Sequence, residues 1–195
     1  MTTASPGITG TASVYGSLTA AGIVATLDLG SRPALRQREI QRALGGKVTI
    51  NMVQQALGQL FKRGVIKGTR SGDIDVYEID RSSPRYPGVH RIALVDLAIA
   101  ERLRPFSDDI MAVLVYGSVA DGKARTDSDL DIFIIGMTDE IDVERALSPL
   151  KLQLGRRIDI SMLDYFQFKS RRGKGDAFLT KVLSQGVVVM GRIPE

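Results

Sequence analysis

Two aspartates, Asp129 and Asp131, stand two residues apart in the stretch TDSDLDIFIIG. The residues around them are strand formers. The spacing therefore predicts that both carboxylates point to one face of a strand, with Leu130 and Ile132 on the other. Two carboxylates held that close repel each other and cost stability. A divalent cation is the obvious compensation, and Mg²⁺ prefers carboxylate and phosphate oxygens. Upstream, Met111 to Tyr116 is a continuous apolar run, which suits a strand in a sheet covered on both faces. Gly117 and Ser118 end that run and open a short helix. Glycine lets a phosphate approach the backbone, a helix N-terminus presents free N–H groups, and the hydroxyl adds a donor. A phosphate cradle beside a carboxylate pair describes a metal–nucleotide site.

A third carboxylate is expected on a neighbouring strand. Residues 137–155 read as a loop and a helix with Ile141, Val143, Ala146, Leu147 and Leu150 as apolar positions. RRIDISMLD then reads as a strand in which Asp159 faces opposite to Ile158 and Ile160. A lone aspartate on the buried side between isoleucines needs a partner, and a shared metal would provide one. The basic stretch KSRRGKG (Lys169 to Gly175) is either a contact for a nucleotide or RNA, or a solvated loop.

GSVADGKARTDSDLDIFII followed by RRIDI resembles the minimal nucleotidyltransferases of the DNA polymerase β superfamily, which include kanamycin-nucleotidyltransferase-like enzymes. Their signature is Gly-Ser, a variable stretch, Asp-x-Asp and a third Asp on a later strand. The resemblance covers roughly residues 91–195, and the ending FLTKVLSQGVVVMG fits the close of such domains. It implies that Asp129, Asp131 and Asp159 are catalytic and hold two Mg²⁺ ions (or Mn²⁺), with Asp159 as general base. It implies further that Gly117, Ser118, Ser128, Lys123 and Arg125 bind the nucleotide. The reaction would move a nucleoside monophosphate from an NTP, with ATP favoured, to an acceptor. One departure stands out. Many relatives carry arginines just after Gly-Ser, and here the matching positions are Val119 and Asp121.

The first half of the chain has a different pattern. Ser17 can cap a helix containing Leu18, Ile23, Val24 and Leu27, and Gly30 can end it. Leu35, Ile40 and Leu44 form an apolar stripe stopped by Gly45-Gly46. Thr49 can cap a third helix with Val53, Leu57 and Leu60 on one face. VIKGTRSGDIDVYEID reads as two strands around a turn at Ser71-Gly72. This order resembles a winged helix-turn-helix over roughly residues 17–80. The resemblance implies that Asn51, Gln54 and Gln55 face base edges of double-stranded DNA, that Arg70 sits on the wing, and that Lys62, Arg63 and Lys67 lie near phosphates. VYGS occurs at Val14–Ser17 and again at Val115–Ser118. Only the second copy is followed by a carboxylate pair, so the repetition is a coincidence.

The expected architecture is therefore α/β (α+β). A mobile tail over 1–16 precedes a winged helix-turn-helix over 17–80, a Pro-rich linker over 81–90 and a nucleotidyltransferase domain over 91–195 with a mixed sheet flanked by helices. Charge agrees with this division. Residues 1–90 hold 11 Lys and Arg against 6 Asp and Glu, and residues 91–195 hold 15 against 16, an asymmetry that points the first half at a polyanion. The chain has no cysteine, which excludes disulfides and thiolate chemistry. A Ser-His-Asp triad would have to use the single histidine, His90, in the linker. No apolar run is long enough to span a membrane and no secretory signal opens the chain, so the expected location is the cytoplasm. Few residues follow Asp159, which places the acceptor (a partner protein, an RNA or a small molecule) on a partner's surface or at a homodimer interface. The reading is a metal-dependent nucleotidyltransferase, antitoxin-like in one version. The alternative is a winged-helix transcriptional regulator that senses nucleotide without turnover.

Overall fold

Ser17 caps the first helix as its place in the sequence predicts, its Oγ accepting from the Ala20 N–H at 3.1 Å. The computed structural model describes residues 15–45, 48–71, 74–95, 97 and 99–195. The tail expected over 1–16 lies outside these residues except for Tyr15 and Gly16, as does Gly72 of the expected turn. The chain divides into two compact units, residues 1–98 with 152–155 and residues 99–151 with 156–195.

In the first unit, α1 (Leu18–Leu29) is buried on nearly every side and ends at Gly30, whereas Leu18 at its start is exposed. Strand β1 (Ala34–Arg36) follows, then α2 (Gln37–Leu44) and α3 (Ile50–Lys62). Leu35 therefore belongs to a strand and not to the helical stripe with Ile40 and Leu44. Pro33 disfavours a helix before it, and the Arg36 N–H is held by the Glu39 carboxylate at 2.8 Å, which fixes the helix start at Gln37. Thr49 caps α3 by accepting from the Met52 N–H, and Val53, Leu57 and Leu60 are buried together as their spacing predicts. Strands β2 (Ile66–Ser71) and β3 (Ile74–Ile79) pair antiparallel, and β1 joins on the far side of β3 to give the order β1-β3-β2.

The segment expected to be an open linker is helical from Tyr86: α4 spans Tyr86–Val95. Pro87 does not prevent this, because it sits in the first turn, where a backbone N–H has no intrahelical partner to lose. α4 stops at Val95 and a short α5 (Ile99–Leu103) follows. The buried face of α4 is Val89, His90, Ala93 and Leu94, and Val95 is exposed.

His90 is consequently not a loop residue. It is buried, with Nδ1 at 2.6 Å from Oδ2 of Asp28 on α1. A carboxylate only accepts, so Nδ1 carries the proton. Tyr86 donates to Asp28 Oδ1 at 3.1 Å, and Arg81 donates to the Asp28 carbonyl at 3.1 Å while its Nη2 stands 3.6 Å from Oδ1. Burial, then the Asp28 charge, pushes the Tyr86 hydroxyl up to about 12. A buried carboxylate is tolerable only when paired in this way. Asp28→Ala removes the acceptor shared by His90 and Tyr86 and the charge paired with Arg81, and is expected to cost about 3 kcal/mol. Asp28→Asn keeps the shape and is expected to cost about half of that. Chemical denaturation followed by tyrosine fluorescence measures both, and equal stability of Asp28→Ala and wild type would refute the pairing argument.

In the second unit the strands are β4 (Ile110–Tyr116), β5 (Leu130–Gly136), β6 (Ile158–Leu163) and β7 (Val187–Gly191). The sheet order is β6-β5-β4-β7, with β4 antiparallel to β5 and β7, and β5 parallel to β6. It is the expected mixed sheet. Ala112, Val113, Leu114 and Val115 are wholly buried, so both faces are covered, while Met111 is exposed beside a register shift. Four helices complete the unit's site-bearing part: α6 (Gly117–Ala120), α7 (Glu140–Leu154), α8 (Tyr165–Gly173) and α9 (Ala177–Gln185). On α7, Val143, Leu147 and Leu150 are buried and Ile141 is not. One sheet face carries Ala112, Leu114, Phe133 and Ile135, packed against Phe168 of α8 and Leu179 and Val182 of α9.

Candidate active site

The apolar face that packs under α8 and α9 changes character at one end. Alternation along β5 carries Ile135 and Phe133 to Asp131 on the same face. Register then fixes the neighbours: Tyr116 of β4 pairs with Asp131, and Asp131 pairs with Asp159 of β6. Neighbouring strands lie about 4.8 Å apart, so two carboxylates stand side by side with a phenol next to them. Asp159 is exposed, not on the buried side as the flanking isoleucines suggested, because β6 is the sheet's edge and this end of it lies beyond the helices' cover.

Gly117 holds the first carboxylate. Its φ is +74°, a left-handed conformation that costs a side-chain-bearing residue. A Cβ there would overlap Oδ2 of Asp131. Any other residue would displace the Asp131 carboxylate or the turn. Burial, then the charges of Asp159 and Asp129, pushes Asp131 above the ordinary carboxylate range, with Lys181 opposing. Burial, with the charges of Asp131 and Asp159, likewise raises Tyr116, and a hydrogen bond with Ser161 opposes them.

Asp129 precedes β5 and has a different partner. Arg157 grips it with a two-pronged fork, Nε to Oδ1 at 3.0 Å and Nη2 to Oδ2 at 2.7 Å. Among the described residues no three acidic or imidazole side chains converge closely enough to hold a metal ion. The donor chemistry nevertheless fits a hard divalent ion: Asp131 and Asp159 are in-register oxygen donors, and burial together with the neighbouring acids makes the Asp131 charge costly. Asp129 is the donor withheld by an internal cation.

The loop between α6 and β5 is pinned from below. Arg156 is buried and its Nη1 donates to the carbonyls of Arg125 and Ser128, both at 2.7 Å. The Ser128 hydroxyl accepts from the Arg125 N–H at 2.9 Å, so it serves the turn. Lys123 and Arg125 are exposed on this loop, with Arg125 3.8 Å from Asp127. Ser118 opens α6, and Val119 behind it is buried. An arginine at 119 would have nowhere to put its charge in this fold. KSRRGKG is mostly helix and not loop: Lys169 donates to the carbonyl of Glu195, Arg172 to that of Pro194, and Arg171 pairs with Asp176.

The structure thus brings Gly117, Asp131 and Asp159 together, with Asp129 beside them, and leaves Lys123 and Arg125 at the loop's surface. Sequence reasoning missed Tyr116, Arg156, Arg157 and Lys181. In the first unit, Asn51, Gln54 and Gln55 are all exposed on α3, and Arg70 is exposed on β2. Gln54 and Arg70 line one groove with Leu57, Phe61, Asp75 and Tyr77. Lys62 and Arg63 are exposed, whereas Lys67 pairs with Glu78 at 3.4 Å.

Because Asp131 is raised, the fold favours its protonated form. Its contribution is full below about pH 4 and is lost as pH rises through its folded value. In EDTA, Asp131→Asn imitates the protonated form. It is expected to melt about 2 °C above wild type near pH 8, and the gap should close toward pH 4. Added Mg²⁺ or Mn²⁺ should raise wild type only. Thermal melts across this range decide the point, and a wild type at least as stable as the variant at pH 8 in EDTA contradicts it.

Residues 98–194 match the family model described as polymerase beta, nucleotidyltransferase. A search of curated proteins gave no match. Among solved structures, a mutant of the toxin-antitoxin complex MntA-HpeT is 19% identical over 48% of this chain and 70% of that one, with a TM-score of 0.34. A Sulfolobus solfataricus protein assigned as a nucleotidyltransferase is 18% identical over 57% of this chain and 93% of that one, also with a TM-score of 0.34. The segment that carries Gly117, Asp129, Asp131 and Asp159 is a nucleotidyltransferase domain of the polymerase beta type.

Proposed function

We propose that the protein transfers a nucleoside monophosphate from an NTP, ATP by preference, to an acceptor. The observation that carries this reading is the in-register pair Asp131–Asp159 with Gly117 folded against the Asp131 carboxylate. A divalent ion (Mg²⁺, as two ions, or Mn²⁺) held by Asp131 and Asp159, with Asp129 as third donor, would polarise the phosphoryl oxygens and lower the pKa of an attacking hydroxyl. Asp159 is exposed and lies outside the Arg157 fork, which suits it to take the acceptor's proton. Gly117 and Ser118 would receive the phosphates at the opening of α6, with Lys123 and Arg125 closing over them from the loop. Ser128 would act through the turn it holds. The acceptor is a partner protein, an RNA or a small molecule.

A second reading has its own observation. The Arg157 fork on Asp129 withholds one of three carboxylates, which suits a domain that senses nucleotide without turnover. Mg²⁺-dependent transfer from α-labelled ATP, GTP, CTP and UTP into host lysate separates the two. Transfer is expected with wild type and a loss of at least about 100-fold with Asp129→Ala/Asp131→Ala. Metal-dependent nucleotide binding without label transfer favours the sensor.

We further propose that the first unit is a winged helix that docks the protein on double-stranded DNA. The exposure of Asn51, Gln54 and Gln55 on α3 and of Arg70 on β2 supports this. Replacing Gln54 and Gln55 by Ala is expected to weaken binding to a selected DNA site by about 10-fold or more and relax its sequence preference. Unchanged affinity and preference in a mobility-shift series would remove DNA contact from the reading.

A further inference from the structure

Val119 and Asp121 stand where the resemblance to the nucleotidyltransferases implies arginines after Gly-Ser. Val119 is buried and Asp121 is an anion, so the α6 segment presents no cation to a triphosphate. The other cations near the carboxylates are mostly committed. Arg157 is forked on Asp129, Arg156 is spent on two loop carbonyls, and Arg171 is paired with Asp176.

Helix α9 supplies another. Its first turn is fixed over the site by Phe178, whose ring stands edge-on to Tyr116 at 5.7 Å and to Phe133 at 5.8 Å. Tyr116 is the register partner of Asp131. Lys181 lies three residues after Phe178 and so shares that helix face. It is exposed, and its ammonium group has no ion pair among the described residues. Val182 and Leu179 anchor the helix in the core on either side of this exposed position.

We propose that Lys181 is the phosphate-positioning residue of this site, replacing the missing arginines by gripping the β- and γ-phosphates of a nucleoside triphosphate bound at Asp131 and Asp159. Lysine suits this role as a compact charge with three donors on a flexible stem. The group it recognises is the polyphosphate, not the base or sugar. The proposal rests on the nucleotidyltransferase reading, and its test keeps the two apart.

Calorimetric titration of the full chain with ATP, and separately with AMP, in Ca²⁺ measures binding. Lys181→Ala is expected to weaken ATP about tenfold, the loss of one charge-assisted contact, and to leave AMP within about twofold. Lys181→Arg should recover most of the ATP affinity. In transfer assays the Ala variant should raise KM for the NTP more than it lowers kcat. ATP affinity unchanged in Lys181→Ala overturns the proposal, and so does an equal loss for ATP and AMP, which would mark a general disturbance of the site. A wild type that binds no ATP overturns the nucleotidyltransferase reading, and this inference with it.

Discussion

The pairing of β5 with β6 in parallel sets Asp131 beside Asp159, and the second unit is organised around that like-charge contact. Strand alternation and register leave neither side chain another place to go. The apolar residues that continue the same face, Phe133 and Ile135, are locked under α8 and α9. The carboxylates therefore sit where a hydrophobic core ends abruptly, half in its low dielectric and half in water. That position explains why burial is the first cause of the upward shift at Asp131 and why the neighbouring acids come next. It also explains Gly117: only a residue without a Cβ lets the chain turn tightly while leaving room for Asp131.

The cations are distributed around this constraint unevenly. Arg157 is one residue before Ile158, and Asp129 is one residue before Leu130; since Leu130 and Ile158 are register partners, the two meet across the parallel strands. The same register that creates the repulsion at one position creates the attraction at the next. Arg156 takes a different task. Its charge is spent on the carbonyls of Arg125 and Ser128, and it fixes the loop carrying Lys123 and Arg125 to the sheet. With position 119 buried, the proposed phosphate binding would need a cation from another element, and α9 packs against Tyr116 through Phe178.

Much of this is legible in the amino-acid sequence. DSDLD in an apolar strand, Gly-Ser after a buried strand and a later lone aspartate gave the carboxylate faces, the turn and the mixed sheet. Ser17 and Thr49 marked helix starts because an N-cap is a local property. What escaped reading was non-local. RRIDI shows two arginines before an aspartate, but nothing in the string says that one faces Asp129 and the other a loop 28 to 31 residues away in sequence. His90 looked like a linker residue because prolines flank it, yet a proline in the first helical turn is harmless, and its partner Asp28 is 62 residues distant. Leu35 looked helical because its spacing to Ile40 fits a helix, while its true neighbour, Tyr77, is on β3.

The energetics of the carboxylates bear on whether the site is used. Asp131 is held by a glycine turn in the position where ionisation is most costly, next to one acid across the strands and another along its own. An asparagine would fit the same space without the penalty, as would a serine at 159 beside it. The arrangement lowers stability at neutral pH, and the exposed Lys181 opposes it only in part, since Arg157 is bound to Asp129. A strained group of this kind is compensated only by something that arrives from solution carrying positive charge. A hard cation accompanied by a polyphosphate satisfies both sides of that requirement. In the proposed reading the metal would relieve the acids, and the phosphates would bring negative charge toward Lys123, Arg125 and Lys181.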